Sequence, residues 1–313
     1  MEEKIYQAAI SCGFDNCGII SLDALSEFDA LYQERKRTSA GGRVFYNVLE
    51  GEFKTKKRFP WAKALVICIH NYDRYAYPES LQGKYAKDFF LVPENGSAGS
   101  YDYEMFEHRL SELGIRYAGG ESYKYYSVAP LRYAAMKAGL GIIRKNNFLY
   151  TEHGSHNRLM GYVIDQECEL IQTCNLRACS DNCNLCQKAC QTRALSAPYT
   201  FNPMRCVSLW TTFGKGFVPP FLKRVQFGNW ICGCDACQDA CPYNKKVNWN
   251  EGIAFSNLQE IAEDLQPEKL LSHSNEYLIK EVISKTDQHL KPSNVHVLKR
   301  NAKRVLGSHR RQK

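Results

Sequence analysis

Cys234-Asp235-Ala236-Cys237-Gln238-Asp239-Ala240-Cys241-Pro242 is the stretch around which the rest of the chain is read. Two residues separate its first pair of cysteines, three separate the second pair, and a proline follows at once. Upstream stands a second run, Cys179, Cys183, Cys186 and Cys190, with Cys206 alone between the two. From Cys168 to Cys241, 74 residues hold eleven of the chain's fourteen cysteines and little periodic apolar pattern. Such a segment folds around what its thiolates bind rather than around a core of its own.

A C-x2-C-x2-C-x3-C-P run is how a two-cluster bacterial ferredoxin gives three ligands to one 4Fe-4S cluster and the fourth to the other, because the chain crosses between adjacent cubanes. On that arithmetic Cys179, Cys183, Cys186 and Cys241 hold one cluster, and Cys206, Cys234, Cys237 and Cys190 hold the other. The first group departs twice from the pattern: three residues lie between Cys179 and Cys183, and Gln191 occupies the proline position. Ser180 stands at the strictly spaced site. Either serine ligates there or a one-residue bulge brings in Cys179, and thiolate is the softer and commoner ligand. Zinc would also accept four cysteines, but zinc pairs do not need interleaved spacings in both groups. Cys12, Cys17, Cys68, Cys168, Cys174 and Cys232 are left over. Cys68, inside an apolar run, reads as a small buried hydrophobe, and Cys232 as a ligand would break the spacing.

The 313 residues suffice for two modest domains, or for one carrying an inserted cofactor module. No run of about 18 apolar residues occurs, and Met1-Glu2-Glu3-Lys4 lacks the basic start of a signal peptide, so a soluble cytoplasmic protein is expected. In that compartment fourteen cysteines are not a disulfide framework. The net charge of +8 is uneven: Lys299, Arg300, Lys303, Arg304, Arg310, Arg311 and Lys313 crowd the last fifteen residues. That tail reads either as a contact for a polyanion or as a solvated helix end.

The fold class expected is α+β. Ile5 to Ile10 and Tyr103 to Leu113 carry helical spacing, Gly18-Ile19-Ile20 and Ala64 to Ile69 read as buried strands, and Leu91 to Ser100 reads as a loop. After Asn248 the apolar spacing turns helical again, through Leu258, Ile261 and Leu265 to Leu298, Ala302 and Val305. Three stretches follow: an α/β domain over 1–165, a ferredoxin-like two-cluster module over 166–248, and a helical segment with a basic tail over 249–313.

The stretch Gly228 to Asn244 resembles the second cluster motif of the epoxyqueuosine reductases, and Arg205-Cys206 resembles that family's isolated ligand. Ala138-Gly139-Leu140-Gly141, with Lys145-Asn146 and Gly154-Ser155, is similar to its glycine-rich segment, and Ala62 to Tyr72 to its strand ending in Asn-Tyr. The similarity runs from about Gly13 to Asn244. It implies a nitroreductase-like α/β domain that holds cobalamin base-off, with Gly139, Leu140, Gly141, Lys145, Asn146, Gly154 and Ser155 around the cofactor. It also implies a ferredoxin-like module that passes electrons to cobalt from a low-potential donor such as a ferredoxin or flavodoxin. Read as residues, Gly139 and Gly141 permit close backbone approach, and Lys145 and Asn146 offer donors to phosphate or amide groups.

The chain departs from the family in two places. The family's acidic proton donor, aligned on Pro130, falls on Ser127, and a hydroxyl is a poor acid at neutral pH. Tyr126 is the candidate substitute, with Tyr123 and Tyr125 beside it. The helical repeats that help the family grip tRNA are reduced to Leu298 to Gly307. Three functions remain open: a cobalamin-dependent reductase of a small molecule, an epoxyqueuosine reductase acting on tRNA with a substitute acid, or a non-catalytic electron carrier serving a corrinoid partner. No membrane partner is expected.

Overall fold

The two apolar runs near the start become strands, β1 (Asn16–Ser21) and β2 (Ala64–Asn71). Then come β3 (Tyr117–Gly119), β4 (Ile142–Ile143), β5 (Leu149–Tyr150) and β6 (Asn157–Ile164). The computed structural model describes residues 1–91, 99–120, 128–214, 222, 227–286 and 290–309. The chain forms two units, one from Met1–Asn71 with Pro93–Cys183, the other from Tyr72–Val92 with Asn184–Lys313. The three stretches drawn from the sequence are consecutive, whereas these units are interleaved.

In the first unit, β1, β2, β6 and β3 lie side by side in that order, all antiparallel, and β4 and β5 pair separately. Cys17 faces Cys68 across β1 and β2, and Val66 faces Tyr162 across β2 and β6. Every residue of β2 is buried. Its side chains alternate: Ala64, Val66 and Cys68 enter one core with Ile5, Ala9, Phe106 and Leu110, while Leu65, Ile67 and Ile69 enter another with Tyr133, Ala134 and Ala135. A strand covered on both faces has no polar side to show, which is why Ala64 to Ile69 of β2 form an unbroken apolar run, ahead of the buried His70 and Asn71. The helices expected near both ends of this stretch form as Glu2–Ser11 and Tyr103–Glu112, the latter capped where the Asp102 carboxylate accepts the Met105 N–H at 2.8 Å. Most of the expected loop from Leu91 to Ser100 lies outside the described residues.

The second unit is built of short helices and one long one, Val295–His309. Tyr72, Tyr75, Tyr77 and Tyr85 share a core with Leu258, Leu265, Leu278, Leu298, Ala302 and Val305. The long helix corrects the reading of the basic tail. Lys299 Nζ donates to the His273 carbonyl (2.7 Å), Arg300 to the carbonyls of Gly214 and Trp210 (2.8 and 2.7 Å), and Arg304 to those of Gly228 and Trp230 (2.7 and 2.5 Å). Asn301 Nδ2 bridges the carbonyls of Thr211 and Ile231 at 2.9 and 2.7 Å. Lys299, Arg300 and Arg304 are thus spent inside the unit, and burial pulls the Arg304 guanidinium down to about 10, with the Arg300 charge adding to the effect. Lys303 is exposed, while Arg310, Arg311 and Lys313 lie outside the described residues. Among the described residues no helix is long and apolar enough to cross a membrane.

Candidate functional site

Four of the eight nominated cysteines crowd one another in the second unit. The Cys237 thiol is pushed far above its ordinary range, by burial first and then by the charges of Cys234, Cys206 and Cys190. Cys234 is raised in the same way, by burial and then by Cys206, Asp235 and Cys190 against the pull of the Ala236 N–H. Cys206 is raised by burial and by Cys190, against N–H bonds from Ser208 and Leu209. Cys190 belongs by sequence to the other group, yet the fold sets it among these three, the neighbours that the crossing arithmetic assigns to it. The Cys190 sulfur accepts the Ala194 N–H at 3.2 Å. Thiolates packed together out of water are unstable alone, and iron supplies the positive charge that reverses this, so the donor set fits a cluster. Among the described residues no three Cys, His, Asp or Glu side chains gather as a site for a single metal ion. A four-iron cluster takes one thiolate at each iron.

Cys237 rides on the helix Ala236–Asp239, which packs against Leu185–Ala189, the helix carrying Cys186. Under the first of these helices lies an ion triad, with Lys87 and Asp235 buried and Asp239 at the surface. Lys87, 2% exposed, sets its Nζ 3.2 Å from the Asp235 carboxylate and 2.9 Å from that of Asp239, and its backbone N–H donates to Asp235 at 2.8 Å. Its ammonium also lies 5.0 Å from the centre of the Trp249 ring. Burial pushes the Asp235 carboxyl up to about 6, against the pull of Lys87. Burial works against the Lys87 ammonium too, but the two carboxylates outweigh it and hold it protonated.

Cys179 and Cys183 lie in the first unit, on a loop gripped from β4–β5. Arg144 Nη1 is 3.7 Å from the Cys179 sulfur. Lys145 Nζ donates to the carbonyls of Ser180, Asp181 and Cys183 at 2.7, 2.8 and 3.0 Å. Cys179 is partly buried beneath the guanidinium, whereas Ser180 is exposed and turns its carbonyl, not its hydroxyl, to the lysine. Cys241, the remaining nominee, follows the helix Ala236–Asp239 and donates its N–H to the Gln238 carbonyl at 3.0 Å. Of the other cysteines, Cys17, Cys68 and Cys232 are fully buried, and Cys232 lies 3.7 Å from the Thr212 hydroxyl.

A family model described as a 4Fe-4S double cluster binding domain matches residues 178–244, a span that holds all eight nominated cysteines. The epoxyqueuosine reductase of Salmonella typhimurium is 31% identical over 268 residues, covering 82% of this chain and 67% of that protein. The chain belongs to the epoxyqueuosine reductase family. The Leadbetterella byssophila member is 28% identical over 256 residues, 77% of this chain and 79% of that one. In fold, the epoxyqueuosine reductase solved with an epoxyqueuosine-modified tRNA-Tyr stem loop matches 97% of this chain and 80% of its own at a TM-score of 0.71 and 23% identity. That of Streptococcus thermophilus matches 98% and 80% at 0.69 and 23%. The mixed helix-and-sheet architecture expected from the sequence is that of this family.

The residues that the family resemblance nominates around cobalamin have other partners. Gly139, at φ +71°, lies so close to Gln172 that a Cβ would sit 1.9 Å from the Gln172 carbonyl oxygen, and one on Gly141 would sit 2.3 Å from that of Tyr150. Their close approach is to the chain's own backbone. All three donors of Lys145 are taken by carbonyls, and Asn146 Nδ2 donates to the Tyr150 hydroxyl at 2.9 Å. Leu140 is in the core, Gly154 closes a turn with Thr151, and Ser155 is buried. The side-chain donors of Lys145 and Asn146 are thus engaged within the chain. Tyr126 and Ser127, with Tyr123 and Tyr125, lie outside the described residues. Sequence reading missed the grip of Arg144 and Lys145 on the cysteine loop.

Proposed function

We propose that this chain is a two-cluster iron–sulfur reductase of the epoxyqueuosine reductase family, taking single electrons from a low-potential donor such as a ferredoxin or flavodoxin. The metal ligands are Cys179, Cys183, Cys186 and Cys241 for one cluster and Cys190, Cys206, Cys234 and Cys237 for the other. The gathering of Cys190 with Cys206, Cys234 and Cys237 carries the reading, because the interleaved two-cluster arrangement assigns Cys190 to those three although it stands in the other run. Residues 1–165 serve as the cofactor-binding stretch, 166–248 as the cluster module and 249–313 as its helical buttress, in the cytoplasm. Opening an epoxide to an alkene takes two electrons and two protons: both C–O bonds break, a C=C bond forms and the oxygen leaves as water. Clusters that each carry one electron suit that demand.

Cobalamin is the acceptor that the family resemblance names, and it would supply a two-electron donor of very low potential. After anaerobic incubation with cobalamin and desalting, the protein is expected to retain the corrinoid with a base-off spectrum. A spectrum without corrinoid would leave the third function, an electron carrier for a corrinoid partner.

The tRNA reading is favoured by the fold shared with an epoxyqueuosine reductase solved on a modified stem loop. Ser127→Ala is expected to leave most turnover intact, and Tyr126→Phe to lower it. Ser127→Asp is expected to raise reduction of epoxyqueuosine-containing tRNA on the order of a hundredfold, the lower part of what a placed general acid contributes. Efficient wild-type turnover abolished by Ser127→Ala would show that serine itself serves at this position.

A further inference from the structure

Arg144 and Lys145 are adjacent basic residues, 1% and 6% exposed. A buried cation is costly unless an anion or a set of dipoles compensates it. Lys145 has three carbonyl dipoles and, among the described residues, no carboxylate; every carbonyl belongs to the Cys179–Cys183 loop. Arg144 reaches the sulfur of Cys179 itself and lies with its guanidinium carbon 5.1 Å from the centre of the Tyr150 ring. The turn that carries the pair is held by hydrogen bonds on both sides. Arg144 N–H donates to the Phe148 carbonyl at 3.1 Å, and Asn147 is held by Arg35 at its side-chain oxygen (2.9 Å) and by Arg132 at its carbonyl (2.6 Å).

Thiolates that ligate iron carry negative charge, and a 4Fe-4S centre gains one more on reduction. We propose that Arg144 and Lys145 are a built-in counter-charge for the cluster that Cys179 and Cys183 serve, raising its reduction potential, and that they are positioning residues for this cluster rather than ligands of a cofactor phosphate. The proposal rests on the reading of Cys179 and Cys183 as cluster ligands. Charge near a cluster and hydrogen bonds to its sulfurs are two of the levers by which a protein sets the potential. Here both levers come from one turn. Lys145 also accounts for the extra residue in this C-x3-C loop: it collects the carbonyls of the lengthened segment onto one cation and so fixes a bulge that would otherwise be free to open.

The test is an anaerobic redox titration of the full chain followed by electron paramagnetic resonance, with iron counted in each preparation. At the wild-type midpoint potential, Lys145→Met is expected to lower the ratio of reduced to oxidised cluster about tenfold, a shift of about 59 mV for a one-electron couple, in one cluster only. Lys145→Arg, which keeps the charge, should restore most of it. Arg144→Gln keeps the lysine strap and should shift the same cluster in the same direction, which holds the test open if Lys145→Met loses iron. Wild-type iron content with unshifted potentials in both neutral variants overturns the proposal alone. Equal shifts in Lys145→Arg and Lys145→Met overturn it too, because the effect would then be one of shape. Wild-type protein without iron overturns the cluster reading and this proposal together.

Discussion

Cys190→Ala is expected to remove the cluster built on Cys206, Cys234 and Cys237, although Cys190 lies in the other cysteine run. Iron in the anaerobically purified chain should fall from about eight to about four atoms per molecule, and reductase activity should fall to background because the relay is broken. Cys241→Ala should do the converse, disabling the cluster whose other ligands are Cys179, Cys183 and Cys186. The physical ground is the placement of Cys190 beside Cys206, Cys234 and Cys237, whose thiols are raised first by burial and then by neighbouring charges that in each case include Cys190. The two variants should differ in which paramagnetic signal survives. Loss from Cys190→Ala of the signal that also vanishes in Cys183→Ala, with the Cys234 signal intact, would refute the crossing.

Lys87→Met should cost about 3–5 kcal/mol of folded stability, the usual cost of stripping one partner from a buried ion pair. The methionine fills the same space but leaves Asp235, 2% exposed, with no ammonium beside it, while Asp239 loses a contact of 2.9 Å. Both carboxylates flank Cys237, so the strain falls on the helix that presents this ligand. Urea unfolding under anaerobic conditions, followed by cluster absorbance and by far-ultraviolet circular dichroism, reads the effect as a lower midpoint. Adding Asp235→Asn to Lys87→Met should recover much of the loss, because a neutral amide no longer needs the cation. A midpoint unchanged in the single variant would show that the triad contributes nothing measurable.

What the sequence makes legible is what local pattern determines. β2 is readable as an apolar run because both of its faces are covered, and the ligand groups are readable because cluster geometry demands fixed spacings along the chain. What escapes is pairing at a distance. Lys145 follows two glycines and looks like a group awaiting a phosphate; its carbonyl partners lie 35 to 38 residues away, and no spacing rule brings them together. By charge alone the basic tail reads as a surface. Its helix does carry a signal of the opposite: Asn301 falls beside the apolar stripe of Leu298, Ala302 and Val305, and a polar side chain placed there is buried and has to find partners. The neighbours Arg300 and Arg304 share its task of tying backbone carbonyls down.

The interleaving of the two units sets a schedule for synthesis on the ribosome. Tyr75, Tyr77, Leu81 and Tyr85 emerge early, but their core companions run from Ile231 to Val305, and the Tyr85 hydroxyl bonds to a carbonyl 180 residues later. At about 5–20 residues per second, that aromatic segment waits roughly ten to forty seconds with its partners still untranslated. The first unit faces a shorter delay, because Pro93–Cys183 completes it before the last helices exist. A nascent chain of this design therefore carries an aromatic segment without its core partners after its first unit is complete. A gene fragment ending between the codon of Cys183 and those of the final helix should yield that unit with the aromatic segment left without its core partners.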